Sequence, residues 1–284
     1  MRPSLCWPGF GAAAGSPPPR PSPRRAVGGR TAWGFRLAAM LSVVATACAA
    51  QEQGRRAVEY REMRSGGGRY QVVRVDLARA DLRLYWRDEA GRPFGSLAAL
   101  DRWLAARGDT LLAATNAGIF YRSRLPAGLH VERGRTLRPL NRSAEPPAGE
   151  LRGNFFYQPN GVFSIAADGT ARIVETGRAG ALLPRMREAT QSGPLLLRAG
   201  SPHWLVGQKV SRNAVAVCSP REVALVYAPD GVTVRQLALF VRDVLGCRDA
   251  LYLDGTISGL RVPSADVDAD GSYVGILGVT PRRR

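Results

Sequence analysis

GVFSIAADGTARIVE, residues 161–175, carries the reading of the fold. Apolar and polar residues alternate on both sides of Asp168-Gly169, a dipeptide that favours the tight turn of a two-stranded hairpin. Working outward, the same period of two recurs. Upstream it appears in YQVVRVDL (70–77), DLRLYW (81–86) and GLHVERG (128–134), and LLAATNAGIF (111–120) is an apolar run ending in a turn-prone Asn-Ala-Gly. Downstream, NAVAVC, EVALVYA and ALYLD continue the series to Asp254. Short runs of this length bounded by Gly, Asn and Asp read as strands.

Two segments carry the helical period instead. FGSLAALDRWLAARG (94–108) offers Ser96 as N-cap, apolar residues at Leu97, Leu100, Trp103 and Leu104, and a closing Gly108. TVRQLALFVRDVLG (233–246) repeats the arrangement with Leu237, Phe240, Val241 and Val244 and stops at Gly246. Many strands with two clear helices predict an α+β chain. The expected form is one domain, with a mixed, largely antiparallel sheet core and a few flanking helices, over residues 65–284. The proline-bearing stretch 138–152 is the expected mobile segment over a site.

The segments ahead of that domain read differently. Residues 1–50 hold six arginines and no acid, and the run LAAMLSVVATACAA (37–50) follows Arg30 and Arg36. A basic flank, about a dozen apolar residues and small-residue cleavage options describe a secretory signal. The run is shorter than the roughly twenty residues that span a bilayer. Ala45-Thr46-Ala47-Cys48 also resembles a lipobox, which would leave a lipid anchor on Cys48. The expected location is periplasmic or extracellular, with residues 51–64 as a linker. Cys218 and Cys247 each border a strand that delivers a motif residue and are expected close in space. They would form a disulfide in an oxidising compartment or remain two buried thiols.

Composition bounds the function. Across 284 residues, 45% hydrophobic and 22% charged content excludes an acidic disordered polymer, a collagen-like repeat and a multi-span membrane protein. The net charge is +17, almost all of it arginine. No zinc-finger spacing, basic zipper or RNA-binding aromatic motif accompanies that charge, so nucleic acid is not an expected partner. Cys6, Cys48, Cys218 and Cys247 show no CxxC pair, and no metal or cofactor is expected. Asp266, Asp268 and Asp270 in SADVDADGS lack the distal glutamate of a calcium loop and read as a polar turn.

Polar residues beside glycine at strand ends are the candidates for chemistry: Asn116 to Phe120, Arg212-Asn213, and Asp254-Gly255 through Ser258-Gly259, with GNFFYQPNGVF (153–163) and TQSGPLL (190–196) between them. Singly, each is also an ordinary turn former. As an ordered set, NAGIF, GLHVERG, GNFFYQPNGVF, TQSGPLL, SRNAVAV and ALYLDGTISGL resemble the phosphodiester glycosidase family. That family includes the lysosomal enzyme that uncovers mannose 6-phosphate, together with many bacterial relatives. The resemblance runs from about residue 70 to GSYVGILGV and is stronger to the bacterial branch. The animal branch continues after its LDG with a glycine-rich stretch, where this chain reads Thr256-Ile257.

The resemblance implies hydrolysis of a sugar 1-phosphodiester at the glycosidic side, with a phosphomonoester released. Arg212 would grip two phosphate oxygens with its planar guanidinium. Asp254 is the first choice for the carboxylate that stabilises an oxocarbenium-like centre or activates water, and Glu132 the second. His130 shares a strand face with Glu132 and could act with it as acid and base, or serve as a structural histidine. Asn116, Asn213, Gln191 and Ser258, with Gly118, Asn141, Ser192 and Gly255, would contact sugar or phosphate. The competing expectation is a non-catalytic envelope protein that binds anionic polymer through dispersed arginines. Convergence of Arg212, Asn116 and Asp254 in one pocket separates the two.

Overall fold

The computed structural model describes residues 57–150, 152–203 and 207–282. The leader, Cys48 and residues 51–56 of the expected linker lie outside them. In chain order the elements begin with β1 (Val58–Ser65), β2 (Gly68–Asp76), β3 (Ala80–Tyr85), α1 (Leu97–Ala105), β4 (Ala113–Asn116), β5 (His130–Glu132) and β6 (Arg135–Arg138). There follow β7 (Gly161–Ala166), β8 (Ala171–Glu175), α2 (Thr176–Ala179), β9 (Met186–Ser192), β10 (Leu195–Arg198) and β11 (Ser201–Pro202). The series closes with β12 (Val210–Ser219), β13 (Glu222–Val232), α3 (Val234–Leu239), β14 (Asp249–Asp254), β15 (Leu260–Val262), β16 (Val267–Ala269) and β17 (Ile276–Pro281).

These strands form three sheets, ordered β1-β2-β13-β12-β14-β10-β11, β16-β15-β4-β17-β3 and β6-β5-β9-β7-β8. The described residues are largely β with three short α-helices. Pairing among the described strands is antiparallel throughout, so the mixed sheet expected from sequence is corrected. The 161–175 hairpin forms as read. Gly169 takes φ +80°, and the Asp168 carboxylate accepts the Thr170 N–H at 2.8 Å.

The start of the folded region is also corrected. Val58 to Arg64, assigned to a linker, pair in register with Arg69–Val75 of β2. The glycine run that suggested a flexible tether is the hairpin turn, with Gly66 and Gly67 at φ +55° and +76°, values that twist-matched two-residue turns require. Because β1 is an edge strand with much of both faces exposed, its charged composition carries no core signal.

The seven-stranded sheet is covered on both sides. One face buries Val73, Val75, Val215, Leu225, Leu251 and Leu253 against the other two sheets. The opposite face buries Val72, Ala214, Ala216, Val226, Ala250 and Tyr252 against Leu237, Phe240 and Val241 of α3 and the turn after it. With a period of two, Arg212 and Asp254 continue the face that carries Ala214, Ala216, Ala250 and Tyr252. The register pairs Asn213 with Asp254 and Ala214 with Tyr252, so both charged residues reach the same end of adjacent strands.

Local capping fixes the helices. Ser96 accepts the Ala99 N–H, and the Asp270 carboxylate takes those of Leu97 and Ala98 at 2.9 Å each. The acidic run thus serves the N-terminus of α1. Thr233 and Gln236 form a reciprocal capping box at α3. Cys218 and Cys247 form a disulfide between the end of β12 and the segment entering β14.

Candidate active site

A cleft of about 770 Å³ opens where β12 begins and β14 ends, and Arg212, Tyr252, Asp254 and Gly255 line it. Asn154 and Tyr157 form part of its wall, with apolar surface from Ile119, Val210, Val234 and Ile257.

Arg212 is 4% exposed. Its Nε donates to the Val232 carbonyl at 2.7 Å, one Nη to the Tyr252 hydroxyl at 2.9 Å and the other to the Gln208 carbonyl at 2.5 Å. All three partners are uncharged. A guanidinium carries five N–H donors, so two remain beyond these bonds. Among the described residues no carboxylate pairs with this buried cation, which is an expensive arrangement unless an anion completes it.

Tyr252 was not singled out from sequence. Buried in the sheet, its hydroxyl accepts from both Arg212 and Asn154 Nδ2 (2.9 Å), and burial pushes its phenol up to about 12. It is a neutral, fixed acceptor that aims the guanidinium. Its position two residues before Asp254 on an alternating strand was the available signal.

Asp254 faces the cleft with little solvation. Its one recorded hydrogen bond comes from the Gly255 N–H at 2.7 Å. Burial raises its carboxyl to about 6, and that hydrogen bond opposes the shift. A carboxylate with so little protein compensation, beside a buried cation that it does not pair with, is the pattern of a reaction site.

Asn116, Asn213 and Ser258 sit behind the cleft. Asn213 Nδ2 donates to Thr115 Oγ1 and to both oxygens of Asn116 at 2.8–2.9 Å. Ser258 Oγ donates toward Asn213 Oδ1 and the Gly255 carbonyl, and Gly259 N donates to Asn116 Oδ1. This buried network holds the loop that carries Asp254. None of these three lines the cleft, where Arg212 and Asp254 meet without Asn116; the oxygens of Asn116 are taken up by Asn213 and Gly259, while its buried Nδ2 has no protein partner among the described residues.

The remaining candidates hold structure. Gln191 accepts from the N–H groups of Leu129 and Asn141 and donates to the Asn141 carbonyl and Thr176 hydroxyl. Its amide is fully used. Asn141 Nδ2 donates to the Tyr121 hydroxyl and the Ala127 carbonyl, which ties this residue, near the start of the 138–152 stretch, to the 121–127 turn. Ser192 donates to the Leu253 carbonyl. Gly118 adopts φ +73°, and a Cβ there would lie 2.7 Å from Thr190 Oγ1, so glycine is required by packing against β9. None of these four lines the cleft. His130 and Glu132 do meet, Nε2 to Oε1 at 2.7 Å. The histidine is buried with its ring edge-on to Trp86, and the pair is likewise outside the cleft lining. Glu132 turns to its neighbour two residues away, so the second choice for the carboxylate that stabilises charge or activates water does not line the cleft.

A family model described as phosphodiester glycosidase matches residues 109–270, a span that contains every cleft residue named above. The chain belongs to the phosphodiester glycosidase family. It is 32% identical over 185 residues to the uncharacterised protein YigE of Escherichia coli K12, covering 62% of this chain and 68% of that one. The fold is similar to the zebrafish N-acetylglucosamine-1-phosphodiester alpha-N-acetylglucosaminidase catalytic domain auto-inhibited by its pro-peptide. There the TM-score is 0.55 and the identity 14%, with 80% of this chain and 82% of that one covered. A hypothetical protein from Synechocystis matches at TM-score 0.50 and 16% identity, over 79% and 62% of the two chains. At these identities the solved structures speak for the fold, and the family assignment rests on the 109–270 match.

Proposed function

We propose that the protein is an exported hydrolase that cleaves a sugar 1-phosphodiester between the anomeric carbon and its oxygen. Sugar and phosphomonoester are the products. The observation that carries this reading is the buried Arg212, bonded only to neutral partners, opening on the same cleft as the weakly compensated Asp254.

The chemistry follows from the charges. The diester anion takes the two spare guanidinium donors, which a planar fork can deliver to two oxygens. As the C1–O bond breaks, its electron pair goes to the phosphate oxygen, and Arg212 stabilises the second charge that develops there. Positive charge at C1 is met by the Asp254 carboxylate. Water supplies the new oxygen at C1, and its proton passes to Asp254. Phosphate is a good leaving group, so the absence of a second cleft-lining carboxylate among the described residues is compatible with the reaction.

Export is supported by the signal-like residues 37–50 and by a disulfide, a bond favoured in oxidising compartments. The lipobox-like Ala45-Thr46-Ala47-Cys48 would anchor the mature chain to a membrane. The dispersed-arginine alternative loses weight because many surface arginines are neutralised by neighbours, Arg69 by Asp230, Arg74 by Glu222 and Arg198 by Glu175 among them.

The test is hydrolysis of methyl GlcNAc-1-phosphodiester in ¹⁸O water by the purified protein. Label in the sugar supports glycosidic cleavage. Label in the phosphate, or turnover undiminished in Asp254→Asn, overturns it.

A further inference from the structure

The cleft is divided between a charged floor and an apolar wall, and the wall begins directly beside the guanidinium. Gly207 shows the adjacency: a Cβ placed there would lie 3.2 Å from Val234 Cγ2 and 3.4 Å from Arg212 Nη2, so a valine methyl and the cation flank one point. On the other side, the equivalent position at Gly255 lies 2.7 Å from the Tyr252 hydroxyl and 3.8 Å from Val210 Cγ2. Ile257 extends this surface outward and is 46% exposed. Elsewhere on the described surface only Leu137 and Val244 are large apolar side chains of comparable exposure, and neither lines the cleft.

The geometry points to a substrate whose phosphate carries an apolar alcohol, alkyl or aryl, packed on Val210, Val234 and Ile257. This rests on the reading above that Arg212 holds a phosphodiester. Whatever the phosphate esterifies on its far side must leave Arg212 past the valines. Asn154, Tyr157, Gln208 and Thr256 also line the cleft, but a second sugar lying on Val210, Val234 and Ile257 would still press the hydroxyls on that side against methyl groups that return no hydrogen bond, and unpaired polar groups are costly to bury. An alkyl or aryl group instead gains from the same surface. At about 770 Å³ the cleft falls within the range that encloses drug-sized ligands, so it has room for both a sugar phosphate and an apolar tail.

Calorimetric titration of the full chain with methyl phosphate and hexyl phosphate tests the proposal without requiring turnover. Each methylene buried on the wall should tighten binding roughly fourfold, so hexyl phosphate should bind at least about tenfold more tightly than methyl phosphate. Ile257→Ser, an exposed change that leaves the core intact, should shrink that ratio severalfold. Equal binding of the two phosphates, or an unchanged ratio in Ile257→Ser, overturns the apolar subsite while leaving the anion site standing. If neither phosphate binds, Arg212 is not an anion site and both readings fall. A hexyl preference without hydrolysis of hexyl GlcNAc-1-phosphodiester keeps the subsite and removes the proposed reaction.

Discussion

Asp254→Asn should raise stability and abolish turnover together, and the pH at which each effect appears can be worked out in advance. The carboxyl titrates near 6 in the fold against 3.8 unperturbed. Its carboxylate is therefore disfavoured in the folded state by up to about 3 kcal/mol, at 1.36 kcal/mol per unit. The folded protein binds this proton more tightly than the unfolded chain does. Stability contributed by the protonated form is fully present below pH 3.8 and is lost as pH rises through 6. Asparagine keeps the shape and, through Oδ1, the Gly255 hydrogen bond at 2.7 Å, but never ionises.

Urea unfolding at pH 8 should thus show the variant more stable than wild type by as much as about 3 kcal/mol, shrinking towards zero near pH 4. On the same samples, turnover of a GlcNAc-1-phosphodiester should fall about 10²–10⁴-fold, the range for removing a positioned acid–base group. Wild-type kcat/KM should climb about tenfold per pH unit up to a plateau above about 6. A variant that is no more stable at pH 8 would show that Asp254 is not desolvated. Retained turnover, or a flat wild-type profile between pH 5 and 7, would remove it from the reaction.

Arg212→Lys should lower kcat/KM by roughly one to two decades, since one ammonium cannot keep the three bonds to Val232, Tyr252 and Gln208 and still fork a phosphate. Protection of the fold by inorganic phosphate in thermal scans should vanish with it. Reducing the Cys218–Cys247 disulfide, which closes a 29-residue separation, should cost roughly 3.5 kcal/mol in the chain-entropy account, read by urea unfolding with and without dithiothreitol. Glu188, buried and pushed up to about 7, accepts the N–H groups of Leu84 and Arg133 on separate oxygens. Wild-type stability should fall as pH rises from 4.5 to 7. Glu188→Gln should flatten that slope while losing one backbone bond worth about 1 kcal/mol.

What the sequence made legible followed from period and turn chemistry. The 161–175 hairpin, the Ser96 cap and the alternation that puts His130 and Glu132 on one face are all local facts of the chain. What escaped it was set by distant partners. Val58–Ser65 pairs as an edge strand in which only Val58, Tyr60 and Met63 pack on the core, partly buried, between charged residues, and its partner β2 fixes it. Gln191 and Asn141 lie 50 positions apart and use each other's hydrogen-bonding groups, so two amides that looked available are not. His130 and Glu132 share a face and meet, as the alternation implies, but neither lines the cleft, and that is set by how whole sheets pack and not by local period. Tyr252 was hidden as a core aromatic, and only the geometry shows that its hydroxyl orients the guanidinium.

The pairing of charges in the cleft argues against a site built only to hold an anion. Such a site gains from Arg212 and loses from Asp254, whose negative charge opposes the ligand and whose desolvation weakens the fold. If binding alone were the task, an asparagine at 254 would improve both affinity and stability. A transition state in which a diester anion gains a second charge at phosphate while C1 turns positive needs both residues, one at each end of the breaking bond. β12 and β14 deliver them to the same edge from register neighbours, and Tyr252 and Gln208 keep the cation bonded without neutralising it. A buried cation and a half-buried, poorly compensated carboxylate in one cleft, with no ion pair between them, are costly to the ground state and useful where charge separates. The Asp254→Asn measurement puts this argument at risk. For a pure binder, Asp254→Asn should tighten inorganic phosphate and raise stability with no turnover to lose, whereas for the enzyme the same two gains should come with the loss of turnover.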